Sequence, residues 1–344
     1  MTLTAQHLAD ELAGKPAALN RLAQRLSRVD PFRALPGLIE DGPDEVVLLG
    51  LGAARYAAGP IVDRLRQAGL PTRTESPAAR RLGPAGPGTL VVAVVVAGGQ
   101  RELAPALDHY AGGSPIVLVT PDVSSPLTSF ADVLVPLEPG EDTLACRTFQ
   151  HAQAMLLHLA SRLGAAPAGA SADVSVLVRR AANATADLVE RAPHWVGQLA
   201  ERLSGPGAIH LLAPVERLSS AQQGALAVRR GPVRAAHASE TAEWAHTDRY
   251  LAATQRYQAL LLRGSRYDER AMDQILQLRG TVVTVGGELE GQATGIRYSG
   301  DGDEDVALLT EPVIPELLAE HWWSQREVGR RPRSGQAVPR TQEA

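Results

Sequence analysis

The stretches EVVLLGLG (residues 45–52) and TLVVAVVVAGG (residues 89–99) decide the fold of this 344-residue chain. Each is a short, continuous run of apolar and mostly β-branched residues that ends in glycine. PIVLVTP (residues 115–121) repeats the pattern. Strands that are apolar on both faces are typical of a parallel sheet covered by helices on each side. The three runs therefore predict an α/β fold.

Two weaker strand candidates and several helical segments complete a first α/β unit. The weaker strands are LPTRTES (70–76) and DVLVP (132–136). The segments between the runs are amphipathic or begin with capping residues, which gives a β-α-β alternation. We predict helices at 57–68, 100–110, 125–131 and 148–163.

The same alternation repeats in the second half of the chain. It follows an Ala/Gly/Pro/Ser-rich linker at 164–175 and a predicted helix at 176–203. The strand candidates are AIHLLAP (208–214), PVRAAHA (232–238), ALLLRG (259–264), GTVVTVGG (280–287) and DVALLTEP (305–312). Helices are predicted at 218–229, 239–249, 267–278 and 314–326. The pattern thus predicts two five-stranded parallel sheets, each flanked by helices in a three-layer α/β/α arrangement.

We expect the chain to divide into five segments. The spacing of Leu8, Leu12, Leu19, Leu22 and Leu26 indicates an N-terminal helical hairpin that is broken near residues 14–16. The expected segments are an N-terminal helical segment (1–30), a first domain (31–165), a linker and connecting helix (166–204), a second domain (205–329) and an irregular tail (330–344).

Composition excludes several functional classes. The formal net charge is −4 and no cluster of basic residues dominates, so we expect no nucleic-acid partner. The single cysteine cannot form an internal disulfide framework. No segment has the apolar length of a signal peptide or a membrane span, so we expect a cytoplasmic protein without membrane contact.

The Gly-rich turn GLGAARYAA (50–58) joins a predicted strand to a predicted helix. It lacks the third glycine of a dinucleotide-binding fingerprint, and Glu75 could supply the acidic residue of that fingerprint only at the wrong position. With one cysteine, the chain also lacks a cysteine-based zinc site. We therefore expect no cofactor and no metal.

Seven motifs, in their order and spacing, resemble the tandem sugar isomerase (SIS) domain family, in particular the isomerase part of glucosamine-6-phosphate synthases. The resemblance covers nearly the whole chain. The motifs are LAGKPAAL (12–19), GLGAARYAA (50–58), VVVAGGQRELAPAL (94–107), PDVSSPLTSFADVLVP (121–136), LACRTFQHAQAMLLHLA (144–160), QQGALAVRR (222–230) and ETAEWAH (240–246). The resemblance implies two SIS domains, a sugar-derived ligand and a homodimer.

The resemblance also implies a ligand site, but this chain departs from the family at most of its positions. The family's three hydroxyl-bearing loops correspond here to Ala54, to residues 95–100 and to residues 144–147. A phosphate would lose several charge-assisted hydrogen bonds, at about 1.5–3 kcal/mol each. The ligand-binding residues that we predict are Gly52, Ala54, Gly98, Gln100, Ser124, Ser125, Arg147, Gln223 and Glu240.

The proton-transfer groups that the resemblance implies are mostly replaced. Arg230 stands at the position of the family's general base, and a guanidinium does not accept a proton near neutral pH. Lys15, the only lysine, lies in the N-terminal helical segment and is a poor substitute for the family's C-terminal lysine. An alternative is that Arg230 simply belongs to a solvated helix face.

One constellation of the family is retained. Glu243 and His246 match its E-x-x-H motif, in which the histidine assists ring opening and reaches the neighbouring subunit's pocket. We predict them, with Arg230, as the catalytic residues. Glu240 lies three residues before Glu243, so on one helix the three side chains would share a face. The two glutamates could equally be charges that compensate a helix dipole.

Three functions remain open from the sequence. The first is an enzyme of altered, isomerase-like chemistry on a sugar-derived metabolite. The second is a non-catalytic sugar-sensing or regulatory protein, and the third is an ordinary aldose-ketose sugar-phosphate isomerase. The identity of the ligand, its phosphorylation and the number of domains that bind it are not determined by the sequence.

Overall fold

The computed structural model describes residues 3–330 except residues 166, 170 and 172. Its β-strands are β1 Glu45–Leu49, β2 Thr72–Glu75, β3 Thr89–Val94, β4 Ile116–Thr120, β5 Val133–Pro136, β6 Ile209–Ala213, β7 Ala236–Glu240, β8 Gln258–Leu262, β9 Thr281–Val285 and β10 Thr294–Ile296. Its α-helices are α1 Ala5–Ala13, α2 Lys15–Leu26, α3 Ala53–Gln67, α4 Gln100–Tyr110, α5 Cys146–Arg162, α6 Val174–Arg202, α7 Leu218–Arg230, α8 Arg249–Thr254, α9 Asp268–Gln277, α10 Glu304–Thr310 and α11 Val313–Arg330.

The strands form two parallel five-stranded sheets, ordered β2-β1-β3-β4-β5 and β10-β9-β8-β6-β7. If the strands of each sheet are numbered in chain order, both sheets read 2-1-3-4-5. Helices cover both faces of each sheet, because the central strands are apolar and buried on both sides. The predicted fold class, two α/β/α domains of SIS type, is confirmed.

The predicted strand DVALLTEP (305–312) is wrong. These residues form α10, and the fifth strand is the short β10, Thr294–Ile296. Asp303 begins α10 by accepting hydrogen bonds from the backbone N–H groups of Asp305 and Val306, at 3.1 and 3.2 Å. Because residues 305–310 are buried all round the helix, their apolar run lacks the periodicity that separates a helix from a strand.

The predicted helix 239–249 is also wrong. Strand β7 continues through Glu240, which pairs with Ala213 of β6. Glu243–His246 then forms a 3₁₀ turn, and α8 begins only at Arg249. The predicted helix 125–131 is likewise a 3₁₀ helix, over Pro126–Phe130. Glu240, Glu243 and His246 therefore do not lie on one α-helix.

The two domains share a central hydrophobic core, and each also has a smaller apolar cluster of its own. Helices α1, α2, α6 and α11 pack against one another, and α3 of the first domain packs on α7 of the second. One buried apolar cluster contains residues of both sheets, for example Val46 and Leu48 of β1 with Ile209 and Leu211 of β6. The predicted hairpin and connecting helix thus lie between the sheets and join them.

Of the predicted irregular tail, Arg330 ends α11, and residues 331–344 lie outside the described residues. In the part of the chain that is described, no helix is long and apolar enough to cross a membrane.

A buried ion pair holds the N-terminal hairpin to the last helix. Lys15, at the start of α2, contacts Glu316 of α11, and both side chains are fully buried. Gln223 of α7 donates a second hydrogen bond to the Glu316 carboxylate, at 3.2 Å. Burial raises the pKa of Glu316, and the Lys15 charge opposes that shift. Loss of either charge would leave the other without compensation in a dry environment.

Lys15→Met is expected to lower the free energy of unfolding by about 3–5 kcal/mol, because it leaves Glu316 buried without a cation. Adding Glu316→Gln should recover most of that loss, since the amide is neutral and keeps Gln223 as a partner. Urea denaturation of the single and double variants measures both effects. A double variant no more stable than Lys15→Met would show that the pair itself, rather than an uncompensated charge, supplies the stability.

Candidate functional site

The first sheet opens a cavity where its strand order reverses. In a 2-1-3-4-5 sheet the chain leaves β1 and β3 in opposite directions, and a crevice forms between their carboxyl ends. Here that crevice has a volume of about 410 Å³. Leu51, Gly52 and Ala53 border it after β1, and Ala97 and Gly99 border it after β3.

Three helices begin at this cavity. Helix α3 starts at Ala53, α4 starts directly after Gly99, and α5 starts at Cys146. The turn before α3 requires a positive φ of 55° at Gly52, which glycine adopts without steric cost. Helix N-termini carry free N–H groups and partial positive charge. This end of the cavity can therefore receive hydroxyl or carbonyl oxygens.

The opposite wall of the cavity is largely apolar. It is lined by Leu8 of α1, Leu226 and Ala227 of α7 and Trp323 of α11, together with Leu144 from the loop before α5. Leu144 belongs to a loop that the family resemblance places at the site, and the other four residues were not predicted there. The sequence pattern does not identify the residues on α1, α7 and α11 as cavity residues, because apolar residues on a helix have the same spacing whether they cover a core or a cavity. A ligand here would contact more carbon than oxygen on this side.

Of the predicted ligand-binding and catalytic residues, Gly52, Gln223 and Arg230 line the cavity. Arg230, at the end of α7, donates hydrogen bonds to the carbonyl oxygens of Leu144 and Thr143, at 2.8 and 3.1 Å. It therefore joins the second domain to the loop before α5. A protonated guanidinium used in this way positions the cavity wall and cannot act as a base.

Arg147 is directed away from the cavity. Its guanidinium donates to the carbonyl oxygens of Asp10, Glu11 and Glu141, at 2.7, 2.8 and 3.0 Å. A Cβ atom at Gly14 would lie 2.2 Å from the guanidinium, so the glycine in the AGKP motif makes room for it. Arg147 thus satisfies the end of α1, and its role as a ligand contact stays a prediction.

The two predicted serines are also engaged locally. Ser125 Oγ accepts a hydrogen bond from the Leu127 N–H at 3.3 Å, and Ser124 Oγ donates to Asp122 at 2.6 Å. Neither residue borders the cavity, and the same is true of Ala54, Gly98 and Gln100, although Gly98 and Gln100 flank Gly99. The family resemblance implies hydroxyl contacts to a ligand from such loops, but the residues at these five positions do not line the cavity.

A polar cluster lies directly behind the cavity. Gln223 and Cys146 line the cavity, and Gln223 reaches Glu316 of the buried ion pair. Gln223 Oε1 is buried and has no hydrogen-bond partner among the described residues. Burial raises the pKa of the Cys146 thiol well above its ordinary value, which makes it a poor nucleophile. Among the lining residues, Glu102 and Arg230 are exposed polar side chains, and Gln223 is a buried one.

Two carboxylates, Glu11 and Asp142, accept hydrogen bonds from the backbone of the segment that carries Leu144 and Cys146. Glu11 of α1 is 5% exposed and accepts a hydrogen bond from the Leu144 N–H at 2.7 Å. Burial and the neighbouring Asp142 raise the pKa of Glu11 from 4.5 to about 8. Asp142 itself accepts hydrogen bonds from the N–H groups of Arg147 and Thr148. Near neutral pH, Glu11 is therefore protonated.

Glu240, Glu243 and His246 line a separate cavity of about 540 Å³ in the second domain, with Tyr267, Arg270 and Gln274. Glu240 accepts a hydrogen bond from the Glu243 N–H at 2.9 Å. Glu243 and His246 are exposed. Within one chain, the retained E-x-x-H motif and the cavity of the first domain are therefore two different places. Among the described residues, no group of three or more His, Cys, Asp or Glu side chains is placed to hold a metal.

The geometry defines an α/β protein of tandem SIS fold, with a crevice at the carboxyl ends of the first sheet. No model of a known protein family matches the chain, and no curated protein matches it. Solved structures do match. The C-terminal domain of glucosamine-fructose-6-phosphate aminotransferase from Francisella tularensis has a TM-score of 0.77 at 13% identity, over 93% of this chain and 96% of that chain.

Two further structures resemble this chain over most of its length. Tagatose-6-phosphate ketose/aldose isomerase from Escherichia coli has a TM-score of 0.74 at 15% identity, over 100% of this chain and 99% of that chain. Glucosamine-6-phosphate deaminase from Thermotoga maritima has a TM-score of 0.65 at 17% identity, over 93% and 95%. At these identities the similarity establishes the fold.

Glu11→Gln is expected to make the unfolding free energy less dependent on pH. The stability that protonated Glu11 contributes is fully present below its unfolded pKa and is lost as the pH rises through about 8. Glutamine keeps the acceptor for the Leu144 N–H and does not ionise. The variant should match the wild type at pH 5 and exceed it by on the order of 2–4 kcal/mol at pH 9. Parallel pH profiles from thermal unfolding would contradict this assignment.

Proposed function

We propose that the chain is a binding protein for a carbohydrate derivative that carries an apolar group and needs no phosphate. The observation that supports this function most directly is the two-sided lining of the first-domain cavity. Helix N-termini meet at one side, and Leu8, Leu226 and Trp323 lie on the other. A glycoside whose sugar faces the helix N-termini and whose aglycone faces the apolar wall would suit both sides.

The groups around this cavity offer little for recognising a phosphate. The family's hydroxyl-bearing loop contains Val95 and Val96 here, both 3% exposed, and Arg147 is held by backbone carbonyls. The remaining cation, Arg230, already donates to two carbonyl oxygens. A phosphate dianion would gain few charge-assisted hydrogen bonds in exchange for its hydration.

Most groups around this cavity offer little for catalysing proton transfer; the exception among its lining residues is the carboxylate of Glu102, which is exposed in the first turn of α4. Arg230 replaces the general base that the family resemblance implies. Cys146 has a raised thiol pKa, and Lys15 is buried in an ion pair with Glu316. Gln223 does not titrate. Binding without chemical change, as in a sensor or regulatory protein, is therefore the function that this cavity supports best.

Phenyl β-D-glucopyranoside is expected to raise the Tm more than methyl β-D-glucopyranoside, and glucose 6-phosphate is expected to raise it least. Burial of the phenyl ring against the apolar wall should contribute about 2 kcal/mol to binding. Ala53→Phe, which fills the cavity, should abolish the shift. Arg55→Phe, on the exposed side of the same helix, should leave it intact. Glucose 6-phosphate giving the largest shift would overturn the proposal.

A second candidate is an enzyme of altered chemistry in a homodimer. It is favoured by one observation: Glu243 and His246 are exposed on one cavity of the second domain, free to face a neighbouring chain. In this reading a second copy would bring the two side chains to the first-domain cavity. Histidine and glutamate could then act there as acid and base.

Incubation in D₂O discriminates between the two functions. For the binding protein we expect no deuterium at C2 of glucose 6-phosphate or at C1 of fructose 6-phosphate, because Arg230 stands at the position of the family's general base. NMR or mass spectrometry of the recovered sugars measures the exchange. Deuterium incorporation that is abolished by His246→Ala and also by Ala53→Phe would show that the protein is an enzyme rather than a binding protein.

A further inference from the structure

The first-domain cavity is rich in hydrogen-bond donors. Helices α3, α4 and α5 begin at it, and the N–H groups of a helix N-terminus can only donate. The guanidinium of Arg230 and the indole of Trp323, which also border the cavity, are donors without acceptor atoms. A sugar hydroxyl both accepts and donates, so each hydroxyl that accepts from these groups still needs an acceptor for its own hydrogen.

Many backbone carbonyl oxygens around the cavity are already engaged. Six lining residues have a carbonyl oxygen that accepts a hydrogen bond within the protein: Leu51, Gly52, Gly99, Leu144, Ala145 and Ala227. Five of these bonds come from backbone N–H groups, at 2.9–3.2 Å, and the bond to Leu144 comes from Arg230, at 2.8 Å. A ligand hydroxyl therefore finds better acceptors among the side chains than on this backbone.

Glu102 is the exposed lining residue whose side chain carries acceptor oxygens. It lies in the first turn of α4, and its carboxylate makes no ion pair or hydrogen bond with any described residue. Gln223 also has an acceptor oxygen, but this side chain is 3% exposed and its Oε1 is buried. An ionised carboxylate has two oxygens and can accept from two donors at once.

We infer that Glu102 determines the specificity of this cavity, by selecting ligands in which two adjacent hydroxyl groups donate to its carboxylate. The inference rests on the proposed function, because it concerns the ligand of the same cavity. Hydroxyl oxygens can accept from the helix N-termini while their hydrogens are donated to Glu102, so both kinds of group are satisfied. An ionised carboxylate on the ligand has no hydrogen to donate and is repelled by the charge of Glu102.

A simpler role for an acidic residue in the first turn of a helix is to compensate the helix dipole. That interaction stabilises α4 with or without a ligand, and it does not depend on which hydroxyl groups a ligand carries. Recognition by Glu102, in contrast, couples this side chain to particular hydroxyl groups. The two roles therefore differ in how a substitution at residue 102 changes the relative affinities of closely related ligands.

Titration calorimetry with phenyl β-D-glucopyranoside and its four monodeoxy analogues tests the inference. In the wild type, loss of either of two adjacent hydroxyls is expected to weaken binding about tenfold, because a hydrogen bond to a charged group is lost. Glu102→Met has a side chain of similar length without acceptor oxygens. It should bind the parent glucoside about tenfold more weakly, and the same two deletions should then cost less than about threefold. Phenyl β-D-glucuronide should bind the wild type more weakly than the glucoside does.

Asp108→Met is the matched control, because Asp108 is exposed on the same helix and does not line the cavity. It also removes one carboxylate and should keep the wild-type binding profile. If Glu102→Met keeps that profile too, or if Asp108→Met loses it, Glu102 is not the specificity residue, and the proposed function still stands on the binding of the parent glucoside. Absence of parent glucoside binding to the wild type would overturn the proposed function, and this inference with it.

Discussion

The structure depends on the need to bury parallel strands on both faces. Strands such as β1, β3 and β6 carry apolar residues on each side, so each sheet needs two helical layers. Helices α1, α2, α6 and α11 pack together between the sheets, and one apolar cluster reaches residues of both. The two domains are therefore joined through a common core, which fixes how the second domain closes over the first-domain cavity.

That closure determines the chemistry of the cavity. The first sheet supplies the floor and the helix N-termini, whereas α7 and α11 of the second domain supply Leu226, Ala227 and Trp323. Buried polar interactions hold this arrangement in place. The Lys15–Glu316 pair joins α2 to α11, and Arg230 joins α7 to the loop before α5. Lys15 and Arg230 thus position the walls of the cavity.

The retained and the replaced residues of the family motifs have different physical consequences. Ala54 and Val95 stand where the family resemblance implies hydroxyl side chains, and small and apolar residues suit these two buried positions. Glu243 and His246 keep their identity but lie on a separate cavity of the second domain. The sequence motifs thus specify the SIS fold more strictly than they specify its chemistry.

The sequence by itself determined nine of the ten described strands, most helices and the repeat of two α/β units, because continuous apolar runs and amphipathic periods report local structure and burial. It did not separate strand from helix at residues 305–312, where a fully buried helix has no polar face. Only the tertiary structure decided which side chains face a cavity. Leu8, Leu226 and Trp323 come from distant parts of the chain, and Arg147 turns to the end of α1. Those placements arise from packing between elements, which spacing along the sequence does not encode.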